Sequence, residues 1–151
     1  MLASGWMRVK KNKITHVSSS PEETALIAKE FGSTLPKGSV VAFFGDLAAG
    51  KTTFIKSLVA SLANIHENEI SSPTFVYLNI YPFKDANIYH FDLYRLRSQE
   101  EFLAMGFQEY FDAGGVCLIE WSERIPDILP EQTIKISLET IGHDTRKIEI
   151  Q

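Results

Sequence analysis

The chain has 151 residues and a mass of 17.0 kDa, with 44% hydrophobic and 23% charged residues, the composition of one ordinary soluble globular domain large enough to bury a core. With 15 Lys and Arg against 19 Asp and Glu, its net charge of −4 gives no global positive field to draw it to nucleic acid or anionic membranes, so any RNA contact is local or shared with a partner. Its one cysteine, Cys117, excludes an internal disulfide and, within the apolar run 116–119, reads as a buried, unreactive thiol in a reducing compartment, with the cytosol as the default.

At the N-terminus the basic residues Arg8, Lys10, Lys11 and Lys13 follow only a few apolar ones, which is not the layout of a signal peptide. No later segment approaches the ~18 uninterrupted apolar residues of a spanning helix, and a cytoplasmic protein without membrane contact is expected. Met7 offers an alternative start, so residues 1–6 are expected to be poorly ordered or dispensable. No repeat, low-complexity tract or Pro/Gly/Ser linker divides the chain, which reads as a single domain over 1–151.

In chain order, Ser20-Pro21-Glu22-Glu23 opens a helix: Ser20 caps it, Pro21 fits its first position and Glu23 completes a capping box. Ala28, Phe31 and Leu35 follow at helical spacing until Pro36-Lys37-Gly38 ends the element. The run Val40-Val-Ala-Phe-Phe44 has the β-branched and aromatic content of a buried strand. Residues 53–63 carry Phe54, Leu58 and Leu62 at four-residue spacing, a helix packed on one side of a sheet. Residues 75–81 and 88–93 flank a polar turn and predict a hairpin. Ser98 caps a further helix over 98–105, with Glu101 three residues on and Gly106 at its end. Residues 116–121 predict a second buried strand, and 133–138 with 147–150 alternate as two half-exposed antiparallel strands.

Between the first strand and the second helix, Gly45-Asp46-Leu47-Ala48-Ala49-Gly50-Lys51-Thr52 matches G-x-x-x-x-G-K-[ST] in the strand–loop–helix context that pattern demands, and Thr53 continues into the helix. Consecutive backbone N–H groups curl around phosphates, glycines allow the close approach, and the helix N-terminus adds its partial positive charge. Lys51 is expected to bridge the β- and γ-phosphates of ATP and the Thr52 hydroxyl to ligate Mg²⁺. The fold expected is α/β, a P-loop NTPase in three layers whose mixed sheet includes antiparallel strands.

Mg²⁺ also calls for an acid at a neighbouring strand end. Glu120 follows Val116-Cys-Leu-Ile119, and Asp92 follows Ile88-Tyr-His-Phe91. Glu120 is assigned to the metal; Asp92 positions the attacking water or supports the metal. Thr74, in the polar loop Ser71-Ser72-Pro73-Thr74, is a candidate sensor of the γ-phosphate, against the plainer reading of a turn before a strand. His90 is read as structural, and Arg95 and Arg97 as exposed. His16 and His66 have no convergent ligands around them, so zinc is not indicated.

Together these segments resemble a known family, the bacterial tRNA threonylcarbamoyladenosine biosynthesis ATPases called TsaE or YjeE. The resemblance rests on the loop 45–53, Ser72-Pro-Thr-Phe75, Tyr89-His-Phe-Asp-Leu-Tyr-Arg-Leu96, Met105-Gly106 leading to Glu109-Tyr110, and Ile119-Glu-Trp121, in family order over most of the chain. It implies an ATPase, weak alone, that works with the partner proteins TsaD and TsaB in threonylcarbamoyl transfer to adenosine 37 of tRNAs reading ANN codons, meeting tRNA only indirectly. By position it implies that Thr52 and Glu120 hold Mg²⁺, that Asp92 serves hydrolysis and that Trp121 lies beside the nucleotide. Glu22, at the start of the first helix, and Arg146, in the segment 142–146, would add nucleotide contacts. One position departs from the family loop: Ala48 stands where a glycine is usual, and if φ is positive there the cost is on the order of 1 kcal/mol.

The rival readings are a small-molecule P-loop kinase, for which only Arg95 and Arg97 hint at a lid, and a GTP-binding switch. The switch would need a guanine-reading Asn/Thr-Lys-x-Asp segment, which the sequence lacks, since Asn12-Lys13 runs into Ile14-Thr15.

Overall fold

The computed structural model describes residues 13–46 and 48–151. The expectation for residues 1–6 and the assignment of Leu47 to the phosphate loop lie outside the described residues.

Strand β1 (Ile14–Ser18) leads into helix α1 (Pro21–Ser33). Ser20 Oγ accepts a hydrogen bond from Glu23 N at 3.1 Å and Pro21 takes the first turn, as the sequence predicts. The Glu23 carboxylate closes the cap one residue earlier than a capping box, on Ser19 N at 2.8 Å. Strand β2 (Val40–Phe44) runs into the loop and helix α2 (Lys51–Ala63), which begins at Lys51, two residues ahead of the sequence reading, because Gly50 at φ 96 supplies its N-cap. The two helices lie close: a Cβ on Gly32 would meet Leu58 Cδ1 at 2.8 Å.

The expected hairpin forms from β3 (Leu78–Phe83) and β4 (Ala86–Asp92). Its first strand starts three residues later than expected, because residues 74–76 turn and Tyr77 adopts φ 68, outside extended geometry. Helix α3 (Gln99–Ala104), capped by Ser98 and followed by Gly106 at φ 76, leads through a 3₁₀ segment, Phe107–Asp112, to β5 (Val116–Glu120). Strands β6 (Ile134–Thr140) and β7 (Arg146–Ile150) are antiparallel to each other, as expected.

The seven strands among the described residues form one sheet in the order β1-β7-β6-β2-β5-β4-β3. Its centre, β6-β2-β5-β4, is parallel, and both flanks are antiparallel. The period-2 alternation of the central strands divides the core. Val41, Phe43, Val116 and Leu118 face α1 and α2 together with Ala28, Phe54 and Leu58, whereas Val40, Cys117 and Ile119 face α3 and the 3₁₀ segments together with Phe91, Phe102 and Phe107. The outcome is the expected three-layer mixed α/β architecture. No helix among the described residues is long and apolar enough to cross a membrane.

Candidate phosphate-binding site

Parallel pairing brings the C-terminal ends of three strands side by side: Phe43 lies opposite Glu120, and Glu120 opposite Asp92. The loop leaves β2 at this edge, where open α/β sheets bind ligands. At Gly45, φ is 143, and a Cβ would stand 2.5 Å from the carbonyl oxygen of Leu138 on β6, so no larger residue fits. Ala48 adopts φ 66, the left-handed conformation in which alanine is strained.

Lys51 is buried, its ammonium donating to the Gly45 carbonyl at 2.5 Å and lying 3.9 Å from the centroid of the Trp121 ring. Trp121 follows Glu120 with φ 60, a turn that directs its ring to Lys51 and to Tyr94, whose centroid is 5.0 Å away. Arg146 spans to the loop from the other side, Nη2 donating to the Ala48 carbonyl at 3.4 Å.

Both acids at the strand ends are buried and engaged. Asp92 Oδ2 accepts from Ser72 Oγ and Thr74 Oγ1, each at 2.8 Å, while Oδ1 accepts from Tyr94 N at 3.0 Å. The polar loop leads into the turn at 74–76 ahead of β3, as the plainer reading expects, and is also tied to Asp92. Glu120 Oε2 lies 2.7 Å from His90 Nε2. His90 and Asp92 share one sheet face by the two-residue repeat of β4.

Ala48, Gly50, Lys51, Thr52, Thr53, Thr74, Asp92, Glu120, Trp121 and Arg146 line one cavity of about 520 Å³. Ser72 and Tyr94 join them; both lie in segments that the sequence marks, but neither carries a role of its own there. The signal for Tyr94 was its place two residues after Asp92. Gly45, Asp46 and Ala49 lie on the reverse side of the loop, along β6. Glu22 is not brought to this cavity: it is exposed in a groove between α1 and the C-terminal half of α2, with Ser57, Ser61 and Asn64. Arg95 stacks over Phe75 at 4.4 Å, and Arg97 pairs with Glu101 at 3.8 Å.

In chemical terms, the cavity offers one ammonium, an aromatic wall, a glycine-shaped backbone cradle at a helix N-terminus, and oxygen donors from Thr52 and Glu120. Such a set suits an anion with a hard divalent cation. Among the described residues, no three His, Cys, Asp or Glu side chains gather as a metal cage, so a cation held by Thr52 and Glu120 would complete its coordination with phosphate oxygens and water. On the far face, Cys117 donates to the Tyr110 carbonyl at 3.3 Å, and burial, followed by the nearby Asp112 charge, pushes its thiol up to about 12.

The profile of the family described as Threonylcarbamoyl adenosine biosynthesis protein TsaE matches residues 18–148. The chain belongs to the TsaE family. A relative from Treponema pallidum named tRNA threonylcarbamoyladenosine biosynthesis protein TsaE is 44% identical over 134 residues, covering 89% of this chain and 97% of its own. The protein of the same name from Bacillus subtilis is 39% identical over 129 residues, covering 85% and 79%. The crystal structure of YdiB from Bacillus subtilis superposes with a TM-score of 0.74 at 33% identity, covering 92% of this chain and 84% of that one. All the cavity-lining residues lie within the TsaE match.

Proposed function

We propose that this TsaE-family protein is a Mg²⁺-dependent ATPase, weak alone, that binds ATP in the loop 45–52 and supplies hydrolysis to tRNA N6-threonylcarbamoyladenosine (t6A) formation at position 37, activated by TsaB and TsaD in a TsaBDE complex. The observation that carries this reading is the convergence of Lys51, Thr52, Asp92, Glu120 and Trp121 on one cavity at the C-terminal edge of the parallel strands. The names of its relatives supply the pathway.

On this reading the loop amides and the start of α2 receive phosphate oxygens. Lys51 exchanges the Gly45 carbonyl for the phosphates as a compact charge in a shielded site. Thr52 and Glu120 present hard oxygen donors to the cation. A Mg²⁺ ion held by these two side chains would neutralise charge that develops on the phosphates during transfer. Asp92 holds Ser72 and Thr74 against the cavity, ordering the polar rim at which a water would be placed. Trp121 and Arg146 bound the nucleotide on either side.

The rival kinase would use mobile arginines as a lid, but neither Arg95, over Phe75, nor Arg97, beside Glu101, lines the cavity. The net charge of −4 favours tRNA contact through the partners over direct binding. We assign the protein to the cytoplasm on the same reading.

The test is phosphate release from ATP with and without TsaB, TsaD and tRNA. Slow hydrolysis alone, acceleration by the partners and loss of both in Glu120→Ala are expected. No acceleration in the reconstituted system would remove the partner assignment, and a phosphorylated small metabolite in place of free phosphate would select the kinase.

A further inference from the structure

We infer that His90 is a positioning residue that fixes the Glu120 carboxylate for a divalent cation; this rests on the assignment of Glu120 to the metal. The pair is built by register. Strands β4 and β5 run parallel with His90 opposite Leu118, which sets Glu120 two residues further along the same face. His90 Nε2 and Glu120 Oε2 approach to 2.7 Å with side chains only 3% and 6% exposed.

The surroundings leave one tautomer of the neutral ring that serves the contact. Nδ1 is buried without a hydrogen-bond partner. A proton on Nδ1 would bury an unmet N–H and set a ring lone pair against a carboxylate oxygen, so the proton belongs on Nε2, donating to Oε2. The recess behind Glu120, lined by Thr52, Ile55, Lys56, Ser71, Ser72 and His90, is too tight for a water molecule, and among the described residues only His90 reaches Oε2. Among the described residues no donor reaches Oε1, and Glu120 lines the cavity beside Thr52. One carboxylate oxygen is therefore anchored and the other left for coordination, the arrangement by which a neighbouring donor orients a metal-binding side chain.

A pair serving only the fold would move thermal stability and leave cation affinity alone. Mn²⁺ is titrated by electron paramagnetic resonance in the presence of a non-hydrolysable ATP analogue, for wild type, His90→Leu, His90→Asn and His90→Gln. Nucleotide affinity in EDTA is measured with a fluorescent analogue. His90→Leu is expected to weaken Mn²⁺ binding about tenfold or more with metal-free nucleotide affinity unchanged. His90→Gln, whose amide N–H falls near the Nε2 position, restores most of it. His90→Asn, too short to reach Glu120, behaves as Leu and decides the matter if Leu does not fold. Folded Leu or Asn variants with wild-type Mn²⁺ affinity would overturn the role of His90 alone. Wild type that retains no Mn²⁺ with the analogue would overturn the metal site itself.

Discussion

The ammonium of Lys51 lies 3.9 Å from the centroid of the Trp121 ring, so the loop's single cation and the aromatic at the end of β5 are in direct contact. Trp121 makes this contact at φ 60, a conformation uncommon for a bulky side chain. Strain of about 1–3 kcal/mol persists at such a residue only where its surroundings hold it, and here they are the candidate site.

Trp121 should therefore report occupancy of the loop. In a Trp6→Phe background it is the sole tryptophan. Phosphates that draw Lys51 away from the ring remove a cation from its face, and a saturable change in emission is expected on titration with ATP and Mg²⁺. In Lys51→Ala no such change is expected, because there is no cation to withdraw.

Asp92 joins three donors from two segments, so its loss should loosen the loop before the fold. In Asp92→Ala, the Ser72 and Thr74 hydroxyls and the Tyr94 N–H lose this acceptor, and because Ser72 and Tyr94 are exposed, water offsets part of the loss, leaving about 1 kcal/mol. Hydrogen exchange of residues 72–76 should accelerate and ATP hydrolysis should fall. Unchanged exchange in that segment would contradict the tie.

Ala48 already adopts φ 66 within the described loop, so the strain weighs on folding. Ala48→Gly is expected to relieve about 1 kcal/mol, a rise in Tm of roughly 2–4 °C for a chain of this size. Ala48→Val, branched at Cβ, should lower it. Thermal denaturation of the three proteins checks the order.

Cys117 should resist alkylation in the folded protein at pH 8, because its thiol is held at about 12 by burial and the thiolate is the reactive form. The folded state keeps its proton where the unfolded chain loses it. Stability therefore falls as pH rises from the ordinary thiol range, about 8.5, towards about 12. Thiol labelling with and without denaturant measures the first effect, and alkaline denaturation of wild type against Cys117→Ala the second.

Much of this was legible in sequence because local and global signals agree. The apolar runs of β2 and β5, the first leading into Gly45 and the second ending on Glu120, state both the strand and the edge at which it stops. Ser20 and Ser98 mark helix starts by their own hydroxyls. Strand β1 was not legible, since Ile14–Ser18, which among the described residues pairs only with β7, shows no apolar run. Tyr77 hid the true start of β3, because a positive φ leaves no trace in composition. The turn after the polar loop 71–74 is legible, whereas the gathering of its hydroxyls on Asp92 is not, because it joins residues 18 and 20 apart. The contact of His90 with Glu120 is not legible in sequence, because it depends on the parallel register of two strands and joins residues 30 apart. Glu22, which the family resemblance offers as a nucleotide contact, lies in a different groove from the other candidates, because the packing of α1 on α2 carries it there.

The most direct measurement is isothermal titration calorimetry of the purified protein with ATP and Mg²⁺, alongside Lys51→Ala. One saturable site per chain, abolished or greatly weakened by the substitution, is expected. No heat of binding in wild type, or equal binding by folded Lys51→Ala, would contradict the assignment of the loop to the triphosphate.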